Sequence, residues 1–238
     1  MAFTFTFTFT SRSTSTWLQA PVAVGNLVMR VVCVSDTHGM HARLDVPACD
    51  LLVHAGDFSR RGRREEFSAI LAWMAAQPAR ARVLVAGNHD RFCEVASAEA
   101  HTLAAASGVR YLEDEGVEIE GLAIWGSPVT PAFHSLAFNR ERGAALRAHW
   151  DRIPERVDLL VTHGPPRGLG DRVFFGAHVG CADLLARVRA LAPRVHLFGH
   201  IHEARGEYHL AGVRTRFVNA ANSHLLPLWT RQVTTLEL

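Results

Sequence analysis

Leu51-Leu52-Val53-His54-Ala55-Gly56-Asp57-Phe58 decides how the fold is read: a short apolar run breaks off in a glycine and an acid. Apolar runs of this length, bounded by polar residues, are the mark of buried strands. The same grammar recurs on both sides of it. Val28–Val34 precedes Ser35-Asp36, with His38 two residues on, and Val83–Ala86 precedes Gly87-Asn88-His89-Asp90. Further along, Ile119–Trp125 runs into Gly126-Ser127-Pro128, Leu159–Val161 into Thr162-His163-Gly164, and Val195–Phe198 into Gly199-His200-Ile201-His202. The polar clusters therefore sit at the C-terminal ends of strands, the edge of an α/β sheet where ligand sites collect.

Helical spacing fills the gaps. Phe67, Ile70, Leu71 and Met74 recur every three or four residues behind Glu65 and Glu66, as do Leu184, Leu185, Val188 and Leu191, and Pro78 and Pro193 supply the stops. Residues 94–107 and 140–150 are weaker helix candidates. After Gly199 the pattern becomes hairpin-like, with Gly206 and Gly212 flanking runs towards Phe217-Val218 and a last strand near Val233–Leu236. Strands outnumber helices, which predicts an α/β chain of two packed sheets with helices outside. Residues 1–28 stand apart: Phe-Thr repeats from Phe3 to Thr10, hydroxyls follow, and the first acid is Asp36. They read as a disordered extension or as sequence upstream of the true start, with one domain over 29–238.

Composition narrows the chemistry. All 25 basic residues are arginine, which excludes chemistry that needs a lysine amine, while the chain holds 14 histidines. With 23 acidic residues the net charge is +2, too small for a protein that grips long nucleic acid by charge. No apolar run reaches the roughly eighteen residues of a membrane span. Four scattered cysteines without a CxxC pair predict neither a zinc knuckle nor a disulfide framework, and fit a reducing, cytoplasmic setting.

The strand-end clusters supply oxygen and imidazole donors: Asp36 with His38, Asp57, Asn88, His163, and His200 with His202. Residues two apart in an extended segment point the same way, so Asp36 and His38 can approach one ion. Oxygens and imidazoles without a thiolate suit manganese, iron, zinc or magnesium better than soft metals. By donor count the site is dinuclear.

These five ordered blocks resemble those of the calcineurin-like metallophosphoesterase superfamily. Val53-His54-Ala55-Gly56-Asp57-Phe58, Thr162-His163-Gly164-Pro165-Pro166, Val179-Gly180-Cys181 and Phe217-Val218-Asn219-Ala220 are similar to its small metallophosphoesterase-domain-containing (MPPED-type) branch. Some members of that branch carry glycine in place of the first histidine of the last block; His200 is present here. The resemblance implies a four-layer α-β-β-α sandwich of two mixed sheets with helices outside. It also implies two divalent ions, manganese first among manganese, iron, zinc, cobalt and magnesium: Asp36, His38 and His202 around one, Asn88, His163 and His200 around the other, and Asp57 bridging. Such a pair would lower the pKa of a bridging water towards roughly 7, for hydroxide attack on phosphorus. His89 would protonate the leaving oxygen, and Asp90 would fix its tautomer.

Two further residues are candidates for substrate contact. Arg61 lies four residues after Asp57, where protein serine/threonine phosphatases of the superfamily place a phosphate-binding arginine, although Arg60, Arg61, Arg63 and Arg64 also read as a solvated run. His178 and His224 fall in segments that could line a pocket, and His54 reads equally as a structural or a supporting histidine. The expected function is hydrolysis of a small phosphoester, foremost a phosphodiester or cyclic nucleotide. Phosphomonoester hydrolysis and a non-catalytic scaffold are the alternatives. Neither a long nucleic acid nor a membrane is an expected partner, and oligomeric state is left open.

Overall fold

The structure is a computed structural model in which residues 28–223 and 232–238 are described. The N-terminal extension up to residue 27, and His224, lie outside the described residues. In chain order the elements are β1 (Arg30–Val34), β2 (Cys49–Ala55), α1 (Arg64–Ala75), β3 (Ala79–Val85), α2 (Arg91–Val95), α3 (Ser97–Ala106), β4 (Arg110–Leu112), β5 (Glu115–Ile119), β6 (Leu122–Ser127), β7 (Thr130–Pro131), β8 (Asn139–Arg140), α4 (Ala144–Trp150), β9 (Leu159–Thr162), α5 (Ala182–Leu191), β10 (Val195–Phe198), β11 (Gly206–Tyr208), β12 (Arg216–Asn219) and β13 (Thr234–Glu237).

Alternation along the strands sorts side chains into layers. Val31 and Cys33 of β1, Leu51, Val53 and Ala55 of β2, and Val83 and Val85 of β3 face Ile124, Leu159, Val161, Val195, Leu197 and Val218 in a core between two sheets. Their neighbours Val32, Val34, Leu52 and Leu84 point the other way, onto Phe67, Ile70, Leu71 and Met74 of α1 and Ala100 and Ala104 of α3. On the far side, Leu160, Phe198 and Phe217 meet Leu146 and Trp150 of α4 and Leu184 and Val188 of α5. The result is helix, sheet, sheet, helix, as expected.

Both sheets are mixed. The first has the order β13-β1-β2-β3-β4, parallel except that β13 runs antiparallel to β1. The second has the order β11-β12-β10-β9-β6-β5, parallel through its middle with antiparallel strands at both edges. Parallel central strands put all the relevant C-terminal ends at one edge of the sandwich. No helix among the described residues is long and apolar enough to cross a membrane.

Local structure departs from the sequence expectation in three places. The run Ile119–Trp125 is a hairpin, because Glu120 and Gly121 both take left-handed backbone (φ 49° and 84°) and form the two-residue turn that matches strand twist. The helix expected over 94–107 breaks at Ala96 (φ −133°, ψ 43°) into α2 and α3. The candidate over 140–150 begins only at Ala144, and a short strand occupies Asn139–Arg140.

His196 lies fully buried in the outer layer beside Phe198 and Phe217. The Thr162 hydroxyl donates to the Gly164 carbonyl at 2.7 Å and so accepts from His196 Nε2–H at 2.9 Å, while Nδ1 has no partner. Burial pushes the imidazole pKa down to about 3. The folded state thus holds His196 neutral where the unfolded chain binds a proton, so its contribution is whole above about 6.5 and is lost as pH falls towards about 3. A shift of that size is worth on the order of a few kcal/mol. His196→Phe should therefore flatten the loss of stability between pH 6.5 and 4 in urea titrations; an unchanged slope would show that His196 does not titrate on unfolding.

Candidate metal centre

Backbone pairing brings the strand ends together before any side chain acts. Beyond β1 the chain continues alongside the end of β2: Asp36 N–H donates to Gly56 O (2.9 Å), His38 N–H to Asp57 O (3.0 Å) and Gly39 N–H to Phe58 O (2.7 Å). Asp36, His38, Asp57 and His200 all adopt left-handed backbone, with φ of 54°, 43°, 56° and 69°. Four non-glycine residues in that sparsely populated region, all at one edge, are local strain tolerated where donors must be aimed.

Two glycines set how closely the segments approach. A Cβ at Gly199 would lie 2.1 Å from both Ser35 Oγ and Asp36 Oδ2. Without one, the second sheet closes on the first, and His200 N–H reaches the Asp36 carboxylate oxygens at 3.1 and 2.9 Å. A Cβ at Gly87 would stand 2.3 Å from Asp57 Oδ1, the atom that accepts the His89 N–H at 2.8 Å.

The donors fall into two groups that share one edge. Asp36, His38 and His202 converge, as do Asp57, His163 and His200, and His38 with Asp57 and His89 links the two. His202 Nε2 is 3.2 Å from Asp36 Oδ1, and His163 Nε2 is 3.4 Å from Asp57 Oδ2. Asn88 Oδ1 joins the second group, 2.9 Å from His163 Nε2.

The tautomers are set by carbonyls, which only accept. His163 Nδ1–H donates to Ala55 O (2.9 Å) and His38 Nδ1–H to Ser59 O (3.1 Å), so in the neutral rings both Nε2 lone pairs point into the cluster. His163 Nε2 there meets the Asp57 and Asn88 oxygens, and His38 Nε2 meets His202 Nε2 at 3.3 Å. A His163 Nε2 lone pair facing the Asp57 and Asn88 oxygens in a buried place calls for positive charge between them, a cation or a ring proton. A nitrogen and oxygen donor set of this kind, oriented by backbone carbonyls, fits divalent cations.

The electrostatics of the protein agree. Burial by itself would raise the Asp36 and Asp57 carboxyls, but the His202 hydrogen bond and the His163 charge respectively outweigh it and hold both low. Burial would lower His163 and His202, yet Asp57 and Asp36 raise them. At His38 and His200 burial outweighs the upward pull of the same two carboxylates, lowering His38 and taking His200 down to about 4. The proton that these carboxylates favour on His163 occupies, in effect, the place of a cation.

The remaining sequence candidates are placed as follows. The His89 ring is half-exposed, edge-on to His38 (centroids 4.9 Å apart), with Nε2 4.0 Å from Asp57 Oδ2. Asp90 does not orient it. The Asp90 carboxylate is taken up by Asp57 N–H (2.9 Å), Ser59 N–H (3.0 Å), Ser59 Oγ–H (2.6 Å) and Gly87 N–H (2.7 Å). It straps the ends of β2 and β3 together, and sequence adjacency to His89 gave a misleading partner.

His54 supports the wall. It accepts from Gly56 N–H at Nδ1 (3.2 Å), which leaves Nε2–H for the Thr37 hydroxyl at 3.0 Å. Arg61 is exposed ahead of α1; its amide donates to Glu66, and its guanidinium has no hydrogen-bond partner among the described residues. His178 is bound at Nδ1 by the buried Asp171 carboxylate (2.6 Å) and braces a loop.

That loop borders a feature the sequence reading missed. A cleft of about 720 Å³ opens beside His200 and His202, walled by Pro131, Ala132, Phe133, Pro165, Val173, Phe175 and Val179, with Arg142 and Glu203 also lining it. Apolar loop residues carry no ligand signature in sequence, so nothing there marked the cleft.

Facing sheets whose strand ends gather carboxylate, amide and imidazole donors define a sandwich built around a cation site. The chain belongs to the calcineurin-like phosphoesterase family, whose model matches residues 29–204. It is 37% identical over 215 residues to human metallophosphoesterase domain-containing protein 1, covering 81% of this chain and 65% of that relative. A UPF0046 protein of Caenorhabditis elegans is 35% identical over 216 residues, covering 86% of this chain and 73% of that one. The crystal structure of a Thermus thermophilus protein, TT1561, shares the fold, with a TM-score of 0.61 at 14% identity, covering 88% and 99% of the two chains.

The position of Asp57 against donors of both groups makes a prediction about metal content. Altering partners that merely support a ligand costs about 10–100-fold in affinity, so loss of a ligand should cost at least about 100-fold. Asp57→Asn should weaken both ions, whereas His202→Ala should weaken only the one beside Asp36 and His38. Metal analysis after dialysis against a weak chelator reads the difference. Two ions retained by Asp57→Asn would disprove the bridging role.

Proposed function

We propose that this protein hydrolyses small phosphoesters, foremost phosphodiesters and cyclic nucleotides, at a centre of two divalent cations. The observation that carries the reading is the two donor groups, Asp36 with His38 and His202 and Asp57 with His163 and His200, linked through His38 and Asp57. Asp36, His38 and His202 would hold one ion, Asn88, His163 and His200 the other, and Asp57 both. Manganese is the proposed native metal. When bound, such ions neutralise phosphoryl oxygens and acidify water.

The chain's own groups then have separable tasks. Asp36 and Asp57 bring negative charge that keeps the cations in place, and Ala55 and Ser59 carbonyls hold His163 and His38 in the ligating tautomer. His89 reaches the same space from a half-exposed position and gives a proton to the leaving oxygen as the P–O bond to it breaks and the bond from water to phosphorus forms. The water's proton passes to solvent and His89 is recharged from it. Four buried, unpaired cysteines support a reducing, cytoplasmic compartment.

Two experiments test the proposal. Manganese-loaded protein should hydrolyse bis-p-nitrophenyl phosphate with higher kcat/KM than p-nitrophenyl phosphate; preference for the monoester would replace the diesterase reading with a phosphomonoesterase, and no turnover with any of the five metals would favour a scaffold. His89→Ala should keep its metal and lose about 10²–10⁴-fold with an alkoxide leaving group, but much less with nitrophenolate, which departs without a proton. Equal losses would remove His89 from the role of acid.

A further inference from the structure

Phosphorus in an acyclic diester bears two organic groups, and the protein offers them different surroundings. His89 stands on the His38 side of the centre and is not part of the apolar cleft, which begins at His200 and His202. In an acyclic diester, a group that leaves beside His89 leaves the cleft free for the other. We infer that the cleft receives the substituent retained on phosphorus, and that Phe133 and Phe175 select a flat, aromatic group there. This rests on the phosphodiesterase reading and names its substrate class: diesters whose retained group carries an aromatic ring, which a monoester lacks.

The exposure of the two rings is the main support. Among the described residues the exposed large apolar side chains are Val28, Val95, Phe133, Phe174 and Phe175, and two of the five, Phe133 and Phe175, line this cleft. Phe133 is 57% exposed and Phe175 91%, so neither serves the core. Exposed aromatic walls around a concave space next to a reactive centre have most of their burial still to gain on binding a ring.

The walls are also held in position. The chain turns back at 172–178, where Val173 N–H donates to Ala177 O (3.0 Å) and Gly176 N–H to Val173 O (2.7 Å), with Phe174 and Phe175 between them. Its base is fastened by Asp171, which accepts from Gly168 N–H (2.9 Å), Gly180 N–H (3.0 Å) and His178. The Glu203 carboxylate, next to His202, accepts Phe174 N–H at 2.5 Å. Across the cleft, the Arg142 guanidinium donates to Val179 O (2.6 Å) and Gly180 O (3.0 Å). A loop tied at both ends to the centre and to the opposite wall presents Phe175 in a defined place, which lowers the ordering cost of binding.

The test separates the pocket from the chemistry. Calorimetry with metal-loaded protein compares phenylphosphonate with methylphosphonate, in which the retained group sits directly on phosphorus and nothing can be hydrolysed. Phenylphosphonate should bind about tenfold tighter or more, and the ratio should fall to about threefold or less in the Phe133→Ala/Phe175→Ala double variant. In parallel, the kcat/KM ratio of bis-p-nitrophenyl to methyl p-nitrophenyl phosphate, which share a leaving group, should drop by about the same factor.

Both rings are solvent-exposed, so an unchanged Tm and metal content are expected controls. Equal phosphonate affinities in the unaltered protein, or a ratio that survives the double substitution, would overturn the pocket assignment whatever the activity. Absence of turnover together with a phenyl preference would instead sink the phosphodiesterase reading and leave the pocket standing.

Discussion

A carboxylate buried to within 2% of complete exclusion from water is the constraint on which this structure turns. Asp57 cannot stay ionised there without compensation, since burial penalises the charged form. Three imidazoles stand 3.4–4.0 Å from its Oδ2, and the His89 amide donates to its Oδ1. Its own amide is held by Asp90, and the glycine at 87 leaves room for its side chain. The contacts come from three other parts of the chain, around His38, the 87–90 segment and His163, so satisfying one carboxylate fixes the relation between the ends of β1, β2, β3 and β9. Fold and site are, in this sense, one electrostatic problem with one solution.

The two sheets meet the same requirement from opposite sides. Asp36, at the end of the first sheet, accepts the His200 N–H and faces His202 from the second, and Gly199 permits that approach. Backbone strain at Asp36, His38, Asp57 and His200 is the local cost of aiming donors inward from chain ends. Such conformations persist where surroundings over-determine them, and here hydrogen bonds between the 36–39 and 56–58 segments do so. Asp90 belongs to this framework. Having spent its lone pairs on Asp57, Ser59 and Gly87, it fixes where the Asp57 carboxylate lies.

Much of this was legible in the sequence, for a physical reason. A buried parallel strand needs an unbroken apolar run, and a site at its end needs a glycine and a donor, so both leave marks in consecutive residues. The ends of β2, β3, β9 and β10 could be read in this way, and so could the layers. What escaped had no such local mark. Glu120 takes a left-handed turn only because Ile119 and Leu122 pair across it, and Ala96 breaks a helix that composition would continue. Asp90 was assigned to His89 through adjacency, whereas its partners are 31 and 33 residues away as well as three. Arg61 looked like a phosphate ligand by position alone, but what its segment does locally is bring amides to Glu66 at the start of α1.

The cleft illustrates the deeper limit. Its walls come from residues 131–133, 142, 164–165, 173–180 and 200–203, segments with nothing in common except where the fold delivers them. Metal chemistry restricts residue type severely, since few side chains ligate, whereas an apolar wall accepts any of several residues of suitable shape. The cation site is therefore written in identities and the cleft in geometry. The same difference separates their mechanics: the donors are anchored on strand ends by backbone hydrogen bonds, while Phe133 and Phe175 stand on loops outside both sheets. If the cleft receives a substrate group as proposed, a change in those loops alters which group is accepted without moving Asp57 or its imidazoles. On this construction reactivity and selectivity are set by different parts of the molecule, and they meet only at His200 and His202, which border both.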